Sequence, residues 1–258
     1  MMRNSLDLTD RVAVVIGASS GIGRAIALGF ARHGAHVVPT ARRAACVECV
    51  CREVLGLHRR TLMHLTDVTS RASIDALRDA VLAEFGGADI LVNAAGFTVK
   101  QPTTDIAEED WHNVMDTNVN GVLRASVAFH DALASSGRGR VINIASLGSF
   151  LAFHEVAAYC ASKAAVASLT RNLACEWAKH GISVNAIAPG VFPTELNGEI
   201  ISGTPRGEEI LLRTPLGRFG DPDELVGAAV LLASDGASFL TGQTIAVDGG
   251  YLASGVNT

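Results

Sequence analysis

The chain has 258 residues, 48% of them apolar and only 5% aromatic, which matches one α/β domain with an Ala, Val, Leu and Ile core of the kind parallel sheets build. A formal net charge of −5 argues against a nucleic-acid partner, and no apolar run reaches the length of a membrane span. The opening Met1-Met2-Arg3-Asn4-Ser5-Leu6-Asp7 has no signal-peptide core, so a cytoplasmic protein is expected.

In chain order, Val12-Ala13-Val14-Val15-Ile16 is a short apolar run of the buried-strand type. Gly17-Ala18-Ser19-Ser20-Gly21-Ile22-Gly23 and an Ala-rich helical stretch follow it. Strand, glycine turn and helix start together make a phosphate site. Glycine lets the backbone approach the phosphates, and the helix N-terminus offers unpaired N–H groups at a positive dipole end. The second strand, near 36–40, runs into Ala41-Arg42-Arg43. Further strands are expected near 61–65, 89–93, 140–145, 182–187 and 243–247, with helices between them. That alternation implies right-handed crossovers and a parallel sheet. Cys46, Cys49 and Cys51 raise a metal site with His58 or His64, but the local pattern is helical and no second ligand pair has the usual spacing. Neither a metal nor a disulfide framework is expected from the five cysteines. The stretch 191–220 is rich in Pro and Gly and is expected to act as a substrate lid. Asp221-Pro222-Asp223-Glu224 is a helix start with its N-cap, first-turn proline and capping-box glutamate in place.

Tyr159 and Lys163 lie four apart in a helical segment expected over 155–179, with Ser146 thirteen positions upstream. Residues four apart share a helix face. A lysine ammonium beside a phenol favours the phenolate, bringing its pKa of about 10 toward neutrality, where it can move protons. A serine hydroxyl could hold a carbonyl or alcohol oxygen in line. The set suits alcohol oxidation or ketone reduction.

Gly17, Gly21 and Gly23, then Asn93-Ala94-Ala95-Gly96, Asn118, Ser146, Tyr159 and Lys163, then Pro189-Gly190 resemble the short-chain dehydrogenase/reductase family, in order and at its spacings from about Leu6 to Tyr251. The resemblance implies one Rossmann-type domain over 1–258, strand order 3-2-1-4-5-6-7 and helices on both faces of the sheet. It implies that Tyr159 is the general acid/base and that Lys163 lowers its pKa and holds the nicotinamide ribose. Ser146 orients the substrate oxygen, and Asn118 holds a water that relays protons to Lys163. Asn93 and Gly96 border the adenosine ribose and the site floor, Asp67 meets the adenine, and Thr194 holds the nicotinamide carboxamide. Asp67 could instead cap a helix, and Asn118 could be a polar residue in a helix bend. The full cofactor-binding set is Gly17, Ser19, Ser20, Gly21, Ile22, Gly23, Arg42, Arg43, Asp67, Val68, Asn93, Gly96, Tyr159, Lys163, Pro189, Gly190, Phe192 and Thr194. Two departures stand out: Ile16 replaces a threonine that often ties the first strand to the Asn93 segment, and Ala94 replaces a second asparagine. NAD enzymes place Asp or Glu at the end of the second strand. Here Ala41 stands there with two arginines after it, which suits a 2′-phosphate and favours NADP(H) over NAD(H), with Arg42 the better single candidate.

For substrate, the candidates are Lys100, Ser146, Leu147, His154 and Tyr159, with Phe97, Ser149, Val156, Phe192 and Leu196 as further pocket residues. Lys100 could meet a carboxylate, and His154 a hydroxyl. The stretches from Pro189 to Asn197 and from Arg213 to Gly250 are similar to sugar-acid dehydrogenases of the gluconate 5-dehydrogenase type, which implies a sugar acid or polyol as substrate. A 3-oxoacyl reductase of fatty-acid type and a non-catalytic NADP-sensing protein are the alternatives. The resemblance also implies a homotetramer, with helices near 108–135 and 155–179 pairing with their symmetry mates, helped by the Ala-rich face around Ala161 and Ala165.

Overall fold

The computed structural model describes residues 5–194, 201 and 203–255. Seven parallel strands form one sheet in the order 3-2-1-4-5-6-7. They are β1 (Val12–Ile16), β2 (His36–Ala41), β3 (His64–Leu65), β4 (Ile90–Asn93), β5 (Arg140–Ile144), β6 (Ser183–Pro189) and β7 (Thr244–Val247). Helices α1 (Gly21–Arg32), α2 (Ala44–Gly56), α3 (Arg71–Phe85), α4 (Glu108–Met115), α5 (Gly121–Ser135) and α6 (Ala157–Trp177) cross over between them. Every residue of β1 is buried, and its two faces feed different cores. Ala13 and Val15 pack with Ile26 and Phe30 of α1, whereas Val12, Val14 and Ile16 pack with Ile74 and Leu77 of α3 and Phe129 of α5. Alternation of side chains along a strand, with helices on both faces, makes such strands continuously apolar.

Three expectations change in detail. The third strand shrinks from 61–65 to the two residues His64 and Leu65 that pair with Thr40 and Ala41, because an edge strand has a ladder on one side only. The expected helix over 108–135 is split by a π-helical turn, Asp116–Asn120, which turns Asn118 fully inward. The helix start at Asp221 is a capping box, with Asp223 N–H donating to Asp221 and Asp221 N–H donating to Glu224, but its first turn, Pro222–Leu225, is 3₁₀ before the α-helix Val226–Ala233. Within 191–220, a helix runs over Pro205–Arg213 behind the cap of Thr204. Leu196 and Ile200 of the expected lid lie outside the described residues. Among the described residues no helix is long and apolar enough to cross a membrane.

Candidate active site

The carboxyl ends of β1, β2, β4 and β5 open onto a cleft of about 460 Å³. Its lower wall is the turn after β1. Gly17 sits at φ +87° and donates its N–H to Thr40 O at 2.8 Å. A Cβ there would lie 2.5 Å from Ala95 N, and one on Gly23 would lie 2.3 Å from Gly17 O, so neither position has room for a side chain. Ser20 caps α1 without a side-chain bond to the helix, and the first turn carries no acidic residue. The N–H end of α1 therefore faces the cleft as an anion site. Ser19 and Ser20 instead accept hydrogen bonds from Arg43 Nη2, at 3.1 and 2.6 Å. Arg42, Arg43, Asp67, Val68 and Thr194 line the same end. Asp67 accepts from the Thr69 N–H and hydroxyl at 2.9 and 2.8 Å, which holds its carboxyl below the usual range, with Arg42 adding to the effect. It does not cap α3, because Ser70 holds that position and accepts from Ser73 N–H. A glycine cradle, a helix N-terminus and two guanidinium groups fit a phosphorylated dinucleotide.

At the other end, Tyr159 and Lys163 rise from one face of α6. The Lys163 Nζ stands 5.7 Å from the Tyr159 ring centre and donates to Ile144 O at 2.7 Å. It is 5% exposed, and burial lowers its pKa from 10.5 to about 8. The expected fall in the Tyr159 pKa is not what this geometry gives. Burial pushes the phenol up; a hydrogen bond with Ser146 pulls it down, and the Cys160 thiol next to it raises it. Desolvation of the phenolate outweighs any help from a lysine whose own charge is costly to bury. Ser146 Oγ also accepts from Gly148 N–H at 3.1 Å.

Asn118 is committed by both ends of its amide. It accepts from Phe97 N–H and donates to Phe97 O and to Ser162 Oγ, each at 3.0 Å. Ser162 in turn donates to Tyr159 O at 2.7 Å. The side chain thus ties the segment after β4 to α6. Gly96 lies between the two groups: a Cβ on it would stand 3.1 Å from Asn118 Oδ1 and 3.5 Å from Lys163 Nζ.

Several expected residues lie off this cleft. Asn93 is 4% exposed and donates to Ser126 Oγ at 3.2 Å and Asn143 Oδ1 at 2.8 Å, so its side chain ties β4 to α5 and β5 and is not part of the cleft lining. Ile16 offers no side-chain hydroxyl, and β1 meets the segment after β4 through the backbone, Ala94 N–H donating to Ile16 O at 2.9 Å. Pro189 ends β6 beside Val247, and Gly190 packs on the Asp248 backbone, where a Cβ would meet Cα at 2.6 Å. Phe192 is buried, its ring pressed on Gly220. Leu147 is 1% exposed and serves packing. Lys100 and His154 line a neighbouring cavity.

Comparison with known proteins follows the geometry. Residues 17–252 match the family model adh_short_C2, described as enoyl-(acyl carrier protein) reductase. The 2-dehydro-3-deoxy-D-gluconate 5-dehydrogenase of Escherichia coli K12 is 41% identical over 254 residues, 98% of this chain and all of the relative. The chain belongs to the short-chain dehydrogenase/reductase family. Its members include a 3-oxoacyl-[acyl-carrier-protein] reductase of E. coli K12, 37% identical over 95% of this chain and 98% of the relative. The crystal structure of a gluconate 5-dehydrogenase from Burkholderia cenocepacia J2315, in complex with NADP and tartrate, superimposes with a TM-score of 0.94 at 36% identity, covering 98% of this chain and 99% of that one. As a short-chain dehydrogenase/reductase, the protein is an oxidoreductase acting on alcohol groups.

The family motifs did not reveal every group that builds the site. Ile144 contributes only its carbonyl, and Ser149 donates to Lys163 O at 2.8 Å, clamping the Ser146 turn to α6. Carbonyls leave no trace in residue identity. Ser149 and Ser162 had a signal, since each hydroxyl is three residues from Ser146 or Tyr159, but nothing in the sequence says which way it points.

Proposed function

We propose that the protein is an NADP(H)-dependent dehydrogenase that interconverts a secondary alcohol and a ketone on a sugar acid or polyol. One observation carries the reading: Tyr159, hydrogen-bonded to Ser146, and Lys163 line the same cleft as a glycine turn, a helix N-terminus and Arg42 and Arg43. When bound, the nicotinamide ring supplies or accepts the hydride. Tyr159 Oη takes the hydroxyl proton of the alcohol in oxidation and returns a proton to the ketone oxygen in reduction. Ser146, already hydrogen-bonded to the Tyr159 side chain, holds the substrate's reacting oxygen in line. Lys163 provides the positive charge that makes the phenolate accessible once a polar ligand sits beside it. Gly17, Ser19, Ser20, Gly21, Ile22 and Gly23 hold the diphosphate, and Arg43, braced by the two serines, meets the 2′-phosphate with Arg42 beside it. Thr194, whose side chain lies against Gly21, would hold the nicotinamide carboxamide.

The sugar-acid reading is supported by higher identity to the 2-dehydro-3-deoxy-D-gluconate 5-dehydrogenase than to the acyl-carrier-protein reductase. Leu123 and Val127 on α5 are 42% and 45% exposed, apolar surface that supports a homotetramer built on α5 and α6. The test is Tyr159→Phe in a hydride-transfer assay with sugar acids and polyols. Turnover falls by about 10²- to 10⁴-fold with cofactor binding retained; unchanged turnover refutes the mechanism.

A further inference from the structure

A second cavity of about 530 Å³ has Lys100, His154, Glu155 and Arg206 in its lining. Two chain segments connect it to the cleft: Phe97 and Tyr159 line the cleft, and Lys100 and Glu155, three and four residues away, line the cavity. On the far side stand Arg206, Glu209 and Arg213 from the helix Pro205–Arg213, and Tyr251, whose ring faces Phe153 at 6.1 Å. The size suits a small polar metabolite.

Its charges are mostly spent on one another. Lys100 Nζ lies 3.3 Å from Glu155 Oε2, and Arg213 Nη2 lies 2.9 Å from Glu209 Oε1. Glu155 holds a left-handed backbone, φ +65°, and its carbonyl accepts from Gln101 N–H at 2.9 Å. Such a conformation is uncommon for a residue with a Cβ and persists only where its surroundings impose it. Here it fixes the Lys100–Glu155 pair just ahead of α6. Arg206 differs. Its Nη1 donates to His154 O at 3.1 Å, and it meets no carboxylate among the described residues. One bond to a neutral carbonyl holds the guanidinium in place and leaves its charge and most of its donors uncommitted. A planar fork in that state is built for a carboxylate.

We infer that Arg206 is the anion anchor of the substrate site, and that the substrate class is a hydroxy or keto acid whose carboxylate meets Arg206 while its reacting carbon lies toward Tyr159. The inference rests on the dehydrogenase reading above. It moves the anionic contact from Lys100, which Glu155 neutralises, to a residue about fifty positions beyond Tyr159 in the chain.

The experiment compares the full-length wild type with Arg206→Gln and Arg206→Lys, using D-gluconate and the neutral polyol D-glucitol with NADP. Calorimetric binding of D-gluconate to each protein serves as a second readout. Arg206→Gln is expected to raise the gluconate KM about tenfold to a hundredfold, with kcat within a few-fold and glucitol kinetics unchanged. Arg206→Lys recovers part of the loss, because the charge returns without the fork. Equal losses on both substrates would mean that Arg206 only shapes the fold, and unchanged gluconate KM would leave no anchor; either overturns the inference while the dehydrogenase reading stands. If the wild type turns over neither compound yet binds gluconate in an Arg206-dependent way, the anchor stands and the dehydrogenase reading falls. A wild type that neither binds nor turns over gluconate overturns the anchor.

Discussion

Lys163 carries a charge at a largely buried position in the cleft wall, and that makes a measurable mark on stability. Its pKa is about 8 in the folded protein and 10.5 when exposed. The folded value lies below the unfolded one, so between them the unfolded chain binds more protons and stability rises with pH. Below about pH 8 the lysine is charged in both states and the folded state bears the whole desolvation cost. Integrated from pH 7 to 9.5, the linkage gives about 2 kcal/mol of added stability from this one group. For a chain of this size that corresponds to a Tm difference of roughly 4–8 °C. Lys163→Met keeps the length of the side chain and removes the titration. The assay is thermal or urea unfolding of both proteins across this pH range, reading the difference between them so that all other groups cancel. The wild type is expected to gain about 2 kcal/mol on the variant as pH rises, whatever the offset from losing the bond to Ile144 O. Parallel pH profiles would refute the claim that burial sets the lysine's charge, and with it the account of why Tyr159 depends on a bound ligand.

Four other substitutions test the cleft. Gly96→Ala places a methyl 3.1 Å from Asn118 Oδ1 and 3.5 Å from Lys163 Nζ, so kcat should drop at least about tenfold with Tm almost unmoved; Gly17→Ala, at φ +87° and 2.5 Å from Ala95 N, should instead cost several kcal/mol and show first as lost folded protein. Arg43→Ala is expected to lower kcat/KM for NADP by about 10- to 100-fold and leave NAD nearly untouched, with a smaller effect for Arg42→Ala. Equal losses with both cofactors would remove Arg43 from 2′-phosphate recognition.

The sequence alone determined the sheet and the crossovers and put Ser146, Tyr159 and Lys163 forward as the candidate catalytic set. Those depend on short-range information: an apolar run of five, a glycine turn at fixed spacing, and a four-residue interval that any α-helix converts into a shared face. It also carried the parallel sheet, because strands alternating with helices call for right-handed crossovers, while the strand order came from the family resemblance. Only the tertiary structure decided what each polar group touches. Asn93 and Asn118 look alike in the chain, but one ties β4 to α5 and β5 while the other, turned inward by the π-helical turn, pins Phe97 to α6. Lys100 was legible as a cation near the site, yet its neutralisation by Glu155 and the open charge on Arg206 depend on segments brought together from distant parts of the chain. The same holds for the ionisation of Tyr159 and Lys163: a motif specifies which groups are neighbours, while their pKa values follow from how completely the fold removes water from around them.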